Sequence, residues 1–177
     1  MARVVLKLGD DVSTDAIYPG RYMATVLPSE TPQFAFADLH EFNAKLGAGE
    51  VSPGSVVVAG RNFGCGSSRE QAVSCLKGPE LTVMAEGFAR IFLQNAINLG
   101  LRVVTAPGLE AALGDELTVE GDVVLNHTTG RAFPVRPLPQ ARQAIIDKGG
   151  LVAYTRARLL GGERTNAPAV AGPEGGP

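Results

Sequence analysis

Short apolar runs alternate with helix-like repeats along the first two thirds of the chain. The apolar runs are rich in Val, Leu and Ala and are typical of buried strands; they cover residues 2–8, 55–60, 81–87 and 101–107. The segments between them carry apolar positions at helical spacing; they cover residues 31–46, 68–76 and 88–100. This alternation predicts an α/β fold with a largely parallel central sheet flanked by helices.

The remaining third predicts a few more elements and a tail. Residues 115–139 are typical of strands joined by turns at Gly121-Asp122 and Thr129-Gly130. Residues 139–160 have a helical pattern that Gly149-Gly150 interrupts. From Gly161 onward the chain is rich in Gly, Pro and Ala without an apolar period. We therefore expect one domain over residues 1–160 and a flexible tail over residues 161–177.

Composition and charge narrow the functional classes. The chain has 177 residues, of which 45% are hydrophobic and 19% charged, as in globular domains. A formal charge of −2 argues against a nucleic-acid-binding surface, and no apolar stretch approaches the roughly 20 residues that a membrane span needs. The first residues lack the layout of a signal peptide, and two cysteines do not make a disulfide framework. We expect a cytoplasmic protein without nucleic-acid or membrane partners.

The sequence GCGSSRE stands where an apolar strand passes into a helix. Gly64 and Gly66 permit unusual backbone angles and close approach of a ligand. We expect Ser67 or Ser68 to cap the helix, and the other serine to join the first-turn amides in an anion site. Arg69 adds a planar guanidinium group, whose N–H donors match the geometry of a carboxylate or phosphate. A capped helix with an exposed arginine is the alternative interpretation.

Three common motifs do not fit this sequence. A phosphate-binding P-loop would need Gly-Lys-Ser/Thr after the glycines, and the dinucleotide fingerprint would need a third glycine near Glu70. A Ser-His-Asp triad would need a histidine. His40 and His127 are the two in the chain, and we expect both to lie at the surface.

Three blocks of the sequence resemble one enzyme family. GRNFGCGSSREQA, with DVSTDAIYPGRYM before it and FARIFLQNAINLGL after it, resembles small subunits of the aconitase superfamily, of the 3-isopropylmalate dehydratase and homoaconitase type. The resemblance extends from about residue 3 to residue 160. It implies a swivelling β/β/α domain of the aconitase type. It also implies a subunit of a heteromeric hydro-lyase that isomerises 2-hydroxy dicarboxylates by dehydration and rehydration.

The resemblance also implies a partner and a cofactor that this chain does not hold. In this family a separate large subunit carries three cysteines that bind a [4Fe–4S] cluster. This chain has only Cys65 and Cys75, to which the resemblance assigns no cluster role. We therefore expect no metal or cofactor on this chain, and activity only with the large subunit. A non-catalytic binding or regulatory module with the same fold is an alternative, but the intact serine and arginine set argues against it.

Roles for the motif residues follow from the resemblance. Ser67 resembles the catalytic base, whose alkoxide removes the proton next to a substrate carboxylate. Ser68 and Arg69 resemble residues that bind substrate carboxylates. A serine hydroxyl is a very weak acid, so its alkoxide needs stabilisation by the helix N-terminus and by Arg69.

Residues of the first loop complete this expected site. Asp15 resembles the aspartate that completes the site from the first loop, with Thr14 beside it, and we expect both among the substrate-binding residues. Such an aspartate is able to orient the serine or the arginine; an Asx-turn is the alternative for Asp15. Arg21 either has a structural role or reaches a substrate carboxylate.

The segment after Arg21 is the expected specificity loop. In the resembling family this segment contacts the variable group of the substrate; here it comprises Tyr22, Met23, Ala24 and Thr25. No cation lies between Arg21 and Lys45, so a third carboxylate would stay unpaired. We therefore expect an alkyl-substituted malate, first of all isopropylmalate. Homocitrate-type substrates, 2,3-dimethylmalate and citramalate are the alternatives.

Overall fold

Seven strands and six helices make up residues 1–160, the part of the chain that the computed structural model describes. The strands are β1 (Ala2–Lys7), β2 (Val56–Ala59), β3 (Thr82–Ala85), β4 (Arg102–Thr105), β5 (Glu116–Glu120), β6 (Val123–Asn126) and β7 (Arg131–Pro134). The helices are α1 (Thr14–Ile17), α2 (His40–Gly47), α3 (Glu70–Lys77), α4 (Arg90–Leu99), α5 (Gln140–Asp147) and α6 (Leu151–Leu160). Short 3₁₀ turns form at Gly20–Tyr22 and Thr31–Phe34. The expected tail lies outside the described residues.

The strands form one mixed sheet in the order β4-β3-β2-β1-β5-β6-β7. Pairing is parallel from β1 to β4 and antiparallel from β1 through β5, β6 and β7. The α/β prediction is confirmed, but the parallel part is limited to four strands. The reason is connection length: turns at Gly121 and Gly130, with φ of +59° and +72°, join β5, β6 and β7 directly. A parallel connection would need a crossover of about a dozen residues or more.

The parallel strands are buried on both faces. All four residues of β2 and of β3 are buried, which explains their continuous apolar sequence. On one face Val57 and Val83 pack against the helices. On the other face Val58 and Met84 pack against the antiparallel strands, which contribute Phe133. The two cores pack on opposite faces of β1 and β2, and the candidate site lies beyond the carboxyl ends of these strands.

The continuous helix predicted over residues 31–46 is wrong. A 3₁₀ turn at Thr31–Phe34 is followed by Phe36 at φ +50°, and α2 begins only at His40. The amide of Phe36 donates to the carbonyl of Ile17 at 2.7 Å, and its buried ring contacts Phe42 edge-on. Burying this ring favours a bend over a straight helix.

The later elements agree with the sequence. α4 ends at Leu99 and is capped by Gly100, which has a left-handed φ of +76°. The break at Gly149-Gly150 separates α5 from α6 as predicted. None of the helices in residues 1–160 has the length and apolar character that crossing a bilayer requires.

Candidate active site

Two loops run side by side beyond the carboxyl ends of β1 and β2. Residues 8–13 lead into α1, and residues 60–69 lead into α3. Ser13 and Cys65 form an isolated parallel bridge between them. The motif therefore lies at the carboxyl ends of parallel strands, the usual place for a binding site in an α/β sheet.

The two glycines of the motif have different roles. Gly64 is buried with φ +81°, and a Cβ there would lie 2.2 Å from Cγ of Phe92. Close packing against α4 therefore requires glycine at this position. Gly66 is exposed with φ +90°, and a Cβ there would have only Thr14 Oγ1 nearby, at 3.7 Å. Gly66 therefore provides the turn, and it leaves room for a ligand beside the backbone.

The prediction that Ser67 or Ser68 caps the helix is wrong. α3 begins at Glu70, and Arg69 occupies the N-cap position without a side-chain capping bond. Both serines therefore precede the helix and are exposed. Among residues 1–160, neither serine hydroxyl has a hydrogen-bond partner. Both hydroxyls are thus available to a ligand.

Thr14 holds the backbone of Ser67 from behind. Its hydroxyl donates to the carbonyl oxygen of Ser67 at 2.9 Å, and its amide donates to the carbonyl of Cys65 at 2.8 Å. Thr14 is only 3% exposed. The hydroxyl of Thr14 is thus engaged with the protein backbone, and its expected contact with the substrate stays a prediction.

Asp15 and Arg69 join the two loops by an ion pair. Nη1 of Arg69 donates to Oδ1 of Asp15 and, at 3.0 Å, to the carbonyl of Tyr18. The same carboxylate oxygen accepts from the amide of Gly20 at 2.9 Å, five residues later, so the Asx-turn alternative does not hold. The bonds from Arg69 and Gly20 lower the pKa of Asp15 below its ordinary value. Asp15 is therefore an anion that orients Arg69.

Arg21 already has a protein partner. Its Nη2 and Nη1 donate to the two oxygens of Asp38 at 2.5 and 3.3 Å, and its guanidinium lies 4.7 Å from the centre of the Tyr22 ring. This pairing lowers the pKa of Asp38. The structural alternative for Arg21 thus has observed contacts, and its binding to a substrate carboxylate stays a prediction.

The expected specificity loop is anchored at one end and exposed in the middle. Tyr22 stacks on Phe34 with ring centres 4.2 Å apart, and Met23 packs against the core. Ala24 is exposed, and the amide of Thr25 donates to the carbonyl of Tyr22 at 2.9 Å. The next residues, Val26 and Leu27, are 68% and 54% exposed, so the apolar character continues along the surface.

The cysteines and histidines do not cluster. Burial raises the pKa of the Cys75 thiol, and Cys65 is half-buried. His40 and His127 are both exposed, as expected, and His127 contacts Thr118 of β5 at 2.8 Å. In the described part of the chain, no three His, Cys, Asp or Glu side chains come together in a way that could hold a metal ion.

Sequence reasoning missed a second set of contacts between the loops. Asp10 pairs with Arg61, and Asp11 pairs with Asn62. The sequence signal for these contacts was Asp10-Asp11 shortly after β1 and Arg61-Asn62 at the matching place after β2.

A separate cleft of about 1270 Å³ lies at the other end of the sheet. Its walls include the first residues of β3 and β4, Thr82 and Arg102. None of the predicted site residues lines it. Its size alone does not make it the active site, because the chemically capable side chains gather at the opposite strand ends.

Comparisons with known proteins identify the family. The family model of the aconitase C-terminal domain matches residues 50–107. The 3-isopropylmalate dehydratase small subunit of Methanosarcina mazei is 44% identical over 154 residues, which cover 85% of this chain and 93% of that protein. The chain belongs to the family of 3-isopropylmalate dehydratase small subunits. The family resemblance of the three sequence blocks is thereby confirmed.

Two further matches, both from Methanocaldococcus jannaschii, extend this result. The isopropylmalate/citramalate isomerase small subunit is 41% identical over 160 residues, covering 88% of this chain and 93% of that protein. The crystal structure of a 3-isopropylmalate dehydratase has a TM-score of 0.82 at 37% identity, covering 92% of this chain and 96% of that chain. This likeness confirms the aconitase-type α/β fold of this family member.

Proposed function

We propose that this chain is the small subunit of a hydro-lyase that isomerises an alkyl-substituted malate, first of all 3-isopropylmalate. The observation that carries the proposal is the free hydroxyl of Ser67 beside Arg69, at the carboxyl ends of two parallel strands. The family membership supports the reaction class, because the relatives are named as dehydratase small subunits. We expect the enzyme to work in the cytoplasm, where Cys65 and Cys75 stay reduced.

Ser67 acts as the general base in this proposal. Its alkoxide removes the proton from the carbon next to a substrate carboxylate, and its hydroxyl returns a proton in the hydration direction. An alkoxide is accessible only where positive charge surrounds it. Arg69 and the N-terminus of α3 supply that charge, since the first helical residue, Glu70, is three positions after the serine.

Arg69 and Ser68 bind the substrate carboxylate. Nη1 of Arg69 is committed to Asp15 and Tyr18, while its Nη2 and Nε have no hydrogen-bond partner among residues 1–160. The guanidinium is held in place because its side chain is only 17% exposed. Asp15 thus fixes one side of the guanidinium, and the other side presents donors to a carboxylate.

The [4Fe–4S] cluster belongs to a large subunit in this proposal. The described residues of this chain contain no group of ligands for it. When bound to its own subunit, the cluster would supply Lewis-acid chemistry for the loss of the substrate hydroxyl. This chain contributes the base and the carboxylate-binding groups, so the two subunits form one active site.

The specificity loop favours an alkyl group over a third carboxylate. Met23, Ala24 and Val26 are apolar, and the cation nearest to them in the sequence, Arg21, is already paired with Asp38. An unpaired carboxylate against this surface would lose its hydration without compensation. Citramalate is the second candidate, because a relative is named isopropylmalate/citramalate isomerase small subunit.

Reconstitution tests the proposal. The chain is co-expressed anaerobically with its large subunit and assayed for hydration of unsaturated diacids. We expect turnover with the isopropylmaleate-type substrate only when both subunits are present, and no cluster absorbance from this chain alone. Turnover by the isolated chain, or a stable cluster on it, would contradict the proposal.

A further inference from the structure

Hydrogen bonds between the two site loops continue the pairing of β1 and β2 beyond the strand ends. The bonded backbone pairs are Gly60 with Gly9 (3.1 Å), Asp11 with Arg61 (2.9 Å) and Gly64 with Val12 (2.7 Å). The contact of Thr14 with Ser67 continues the same series. The position of the serine therefore depends on how the first loop is registered against the second.

Two residues in the middle of this series have a left-handed backbone. Asp11 has φ +55° and Asn62 has φ +59°. Nδ2 of Asn62 donates to Oδ1 of Asp11 at 2.8 Å. Glycine would adopt this backbone at both positions with less strain. The two side chains therefore contribute what glycine lacks, the hydrogen bond that joins the loops.

Residues 60–69, which include the sequence GCGSSR, form the motif loop. Asp11 contacts this loop through three different groups. Its amide donates to the carbonyl of Arg61, its carboxylate accepts from Asn62, and its carbonyl accepts from Sγ of Cys65 at 3.4 Å. Cys65 is two residues before Ser67. Asp11 is thus linked to the serine by a short, bonded path.

The motif loop is held from the core on its other side. The ring of Phe63 is fully buried, and it meets Phe92 and Phe88 edge-on at 5.1 and 6.0 Å. Asp11 and Asn62 are both exposed, so their bond adds no apolar burial. The core therefore anchors the loop at Phe63, while the bond between Asp11 and Asn62 lies at the surface.

We propose that Asp11 and Asn62 are positioning residues, whose hydrogen bond holds Ser67 where it can remove the substrate proton. This inference rests on the proposed role of Ser67 as the base. A displacement of about 1 Å at a reacting group can cost about a hundredfold in rate. A bond that fixes the serine should therefore affect turnover much more than substrate binding.

An exchange of the two side chains tests the inference in the complex with the large subunit. Asn62→Asp places two carboxylates against each other and removes the bond, while a left-handed backbone stays acceptable. Adding Asp11→Asn restores a donor and an acceptor with their ends exchanged. Asn62→Gly removes the bond but relaxes the backbone, so it separates the bond from strain. Asn98→Asp, on α4, makes the same chemical change away from the motif.

We expect Asn62→Asp and Asn62→Gly to lower kcat about tenfold with KM changed less than about twofold. The exchanged double variant should recover kcat to within about threefold of the parent, and Asn98→Asp should leave it unchanged. A kcat that stays at the parent value in both Asn62 variants would overturn the inference. So would a double variant that is as slow as Asn62→Asp, or loss of thermal stability without loss of kcat.

Ser67→Ala distinguishes a failure of the proposed base from a failure of the positioning role of Asp11 and Asn62. If Ser67→Ala retains full turnover, the proposed role of the serine fails. If Ser67→Ala is inactive while the Asn62 variants are unaffected, only the positioning inference fails.

Discussion

The hydroxyl of Thr14 donates a hydrogen bond to the carbonyl oxygen of Ser67 at 2.9 Å, across 53 positions of sequence. The bond fixes the backbone of the serine and leaves its side chain free. A residue at the start of α1, after β1, thereby holds the backbone of a residue after β2. Residues that follow both strands form the site, so its geometry depends on the position of both strand ends.

Removing this hydroxyl should slow the enzyme. Thr14→Val preserves the side-chain volume but leaves the carbonyl of Ser67 without its partner, at a cost of about 1–3 kcal/mol. We expect kcat of the assembled enzyme to fall about tenfold with KM nearly unchanged, because the serine shifts while carboxylate binding remains. Thr14→Ser keeps the donor and should recover most of kcat. Equal kcat for Thr14→Val and the parent would show that the hydrogen bond from Thr14 does not position Ser67 for the reaction.

The two motif glycines should differ in stability when replaced. Both have positive φ, so alanine costs about 1–2 kcal/mol at either one. At Gly64 the new methyl would also collide with Phe92, which adds about 1–3 kcal/mol. Denaturant unfolding should therefore show Gly64→Ala to be clearly less stable than Gly66→Ala. Equal losses would show that contact with α4 is unimportant at Gly64.

Acid should weaken the contact between the loop before β5 and the end of β6. Asp115 accepts from the amide of Ala112 at 2.9 Å and from Asn126 at 2.7 Å, and these bonds lower its pKa. The carboxylate therefore stabilises the fold fully above about pH 4, the ordinary value, and loses this contribution as pH falls through its lowered pKa. We expect Asp115→Asn to lower Tm at pH 7, with a difference from the parent that narrows toward pH 3. A constant difference would contradict the assignment.

Much of the fold could be predicted from local patterns. The buried runs of β2 and β3, the turns at Gly121 and Gly130, and the break at Gly149 are all encoded within a few residues. The bend at Phe36 was not, because the residue pairs with Ile17, 19 positions earlier.

The candidate site residues could be named from the sequence, but their contacts with one another could not. The motif marked Ser67 and Arg69, and the resemblance added Asp15. Which residue of the first loop holds which residue of the second depends on the register between two segments more than 50 positions apart. No local pattern contains that register.

The specificity loop should respond to a new cation. Ala24 is exposed. Met23 before it packs against the core, whereas Val26 after it is exposed. Ala24→Arg would offer a partner to a third carboxylate, and we expect the ratio of kcat/KM for a tricarboxylate over isopropylmalate to rise about tenfold or more. Ala132→Arg, at an exposed position of β7, is the matched control and should not change the ratio. A preference of the parent for tricarboxylates would contradict the loop argument.

Steady-state kinetics of Ser67→Ala in the assembled enzyme test the central claim most directly. The side chain is exposed and makes no hydrogen bond within residues 1–160, so its removal should leave Tm and assembly with the large subunit unchanged. If Ser67 is the base, kcat should fall about a hundred- to ten-thousandfold while KM changes little. Ser68→Ala, its neighbour, should instead raise KM and lower kcat much less. Turnover of the correctly assembled Ser67→Ala enzyme near the parent value would contradict the account.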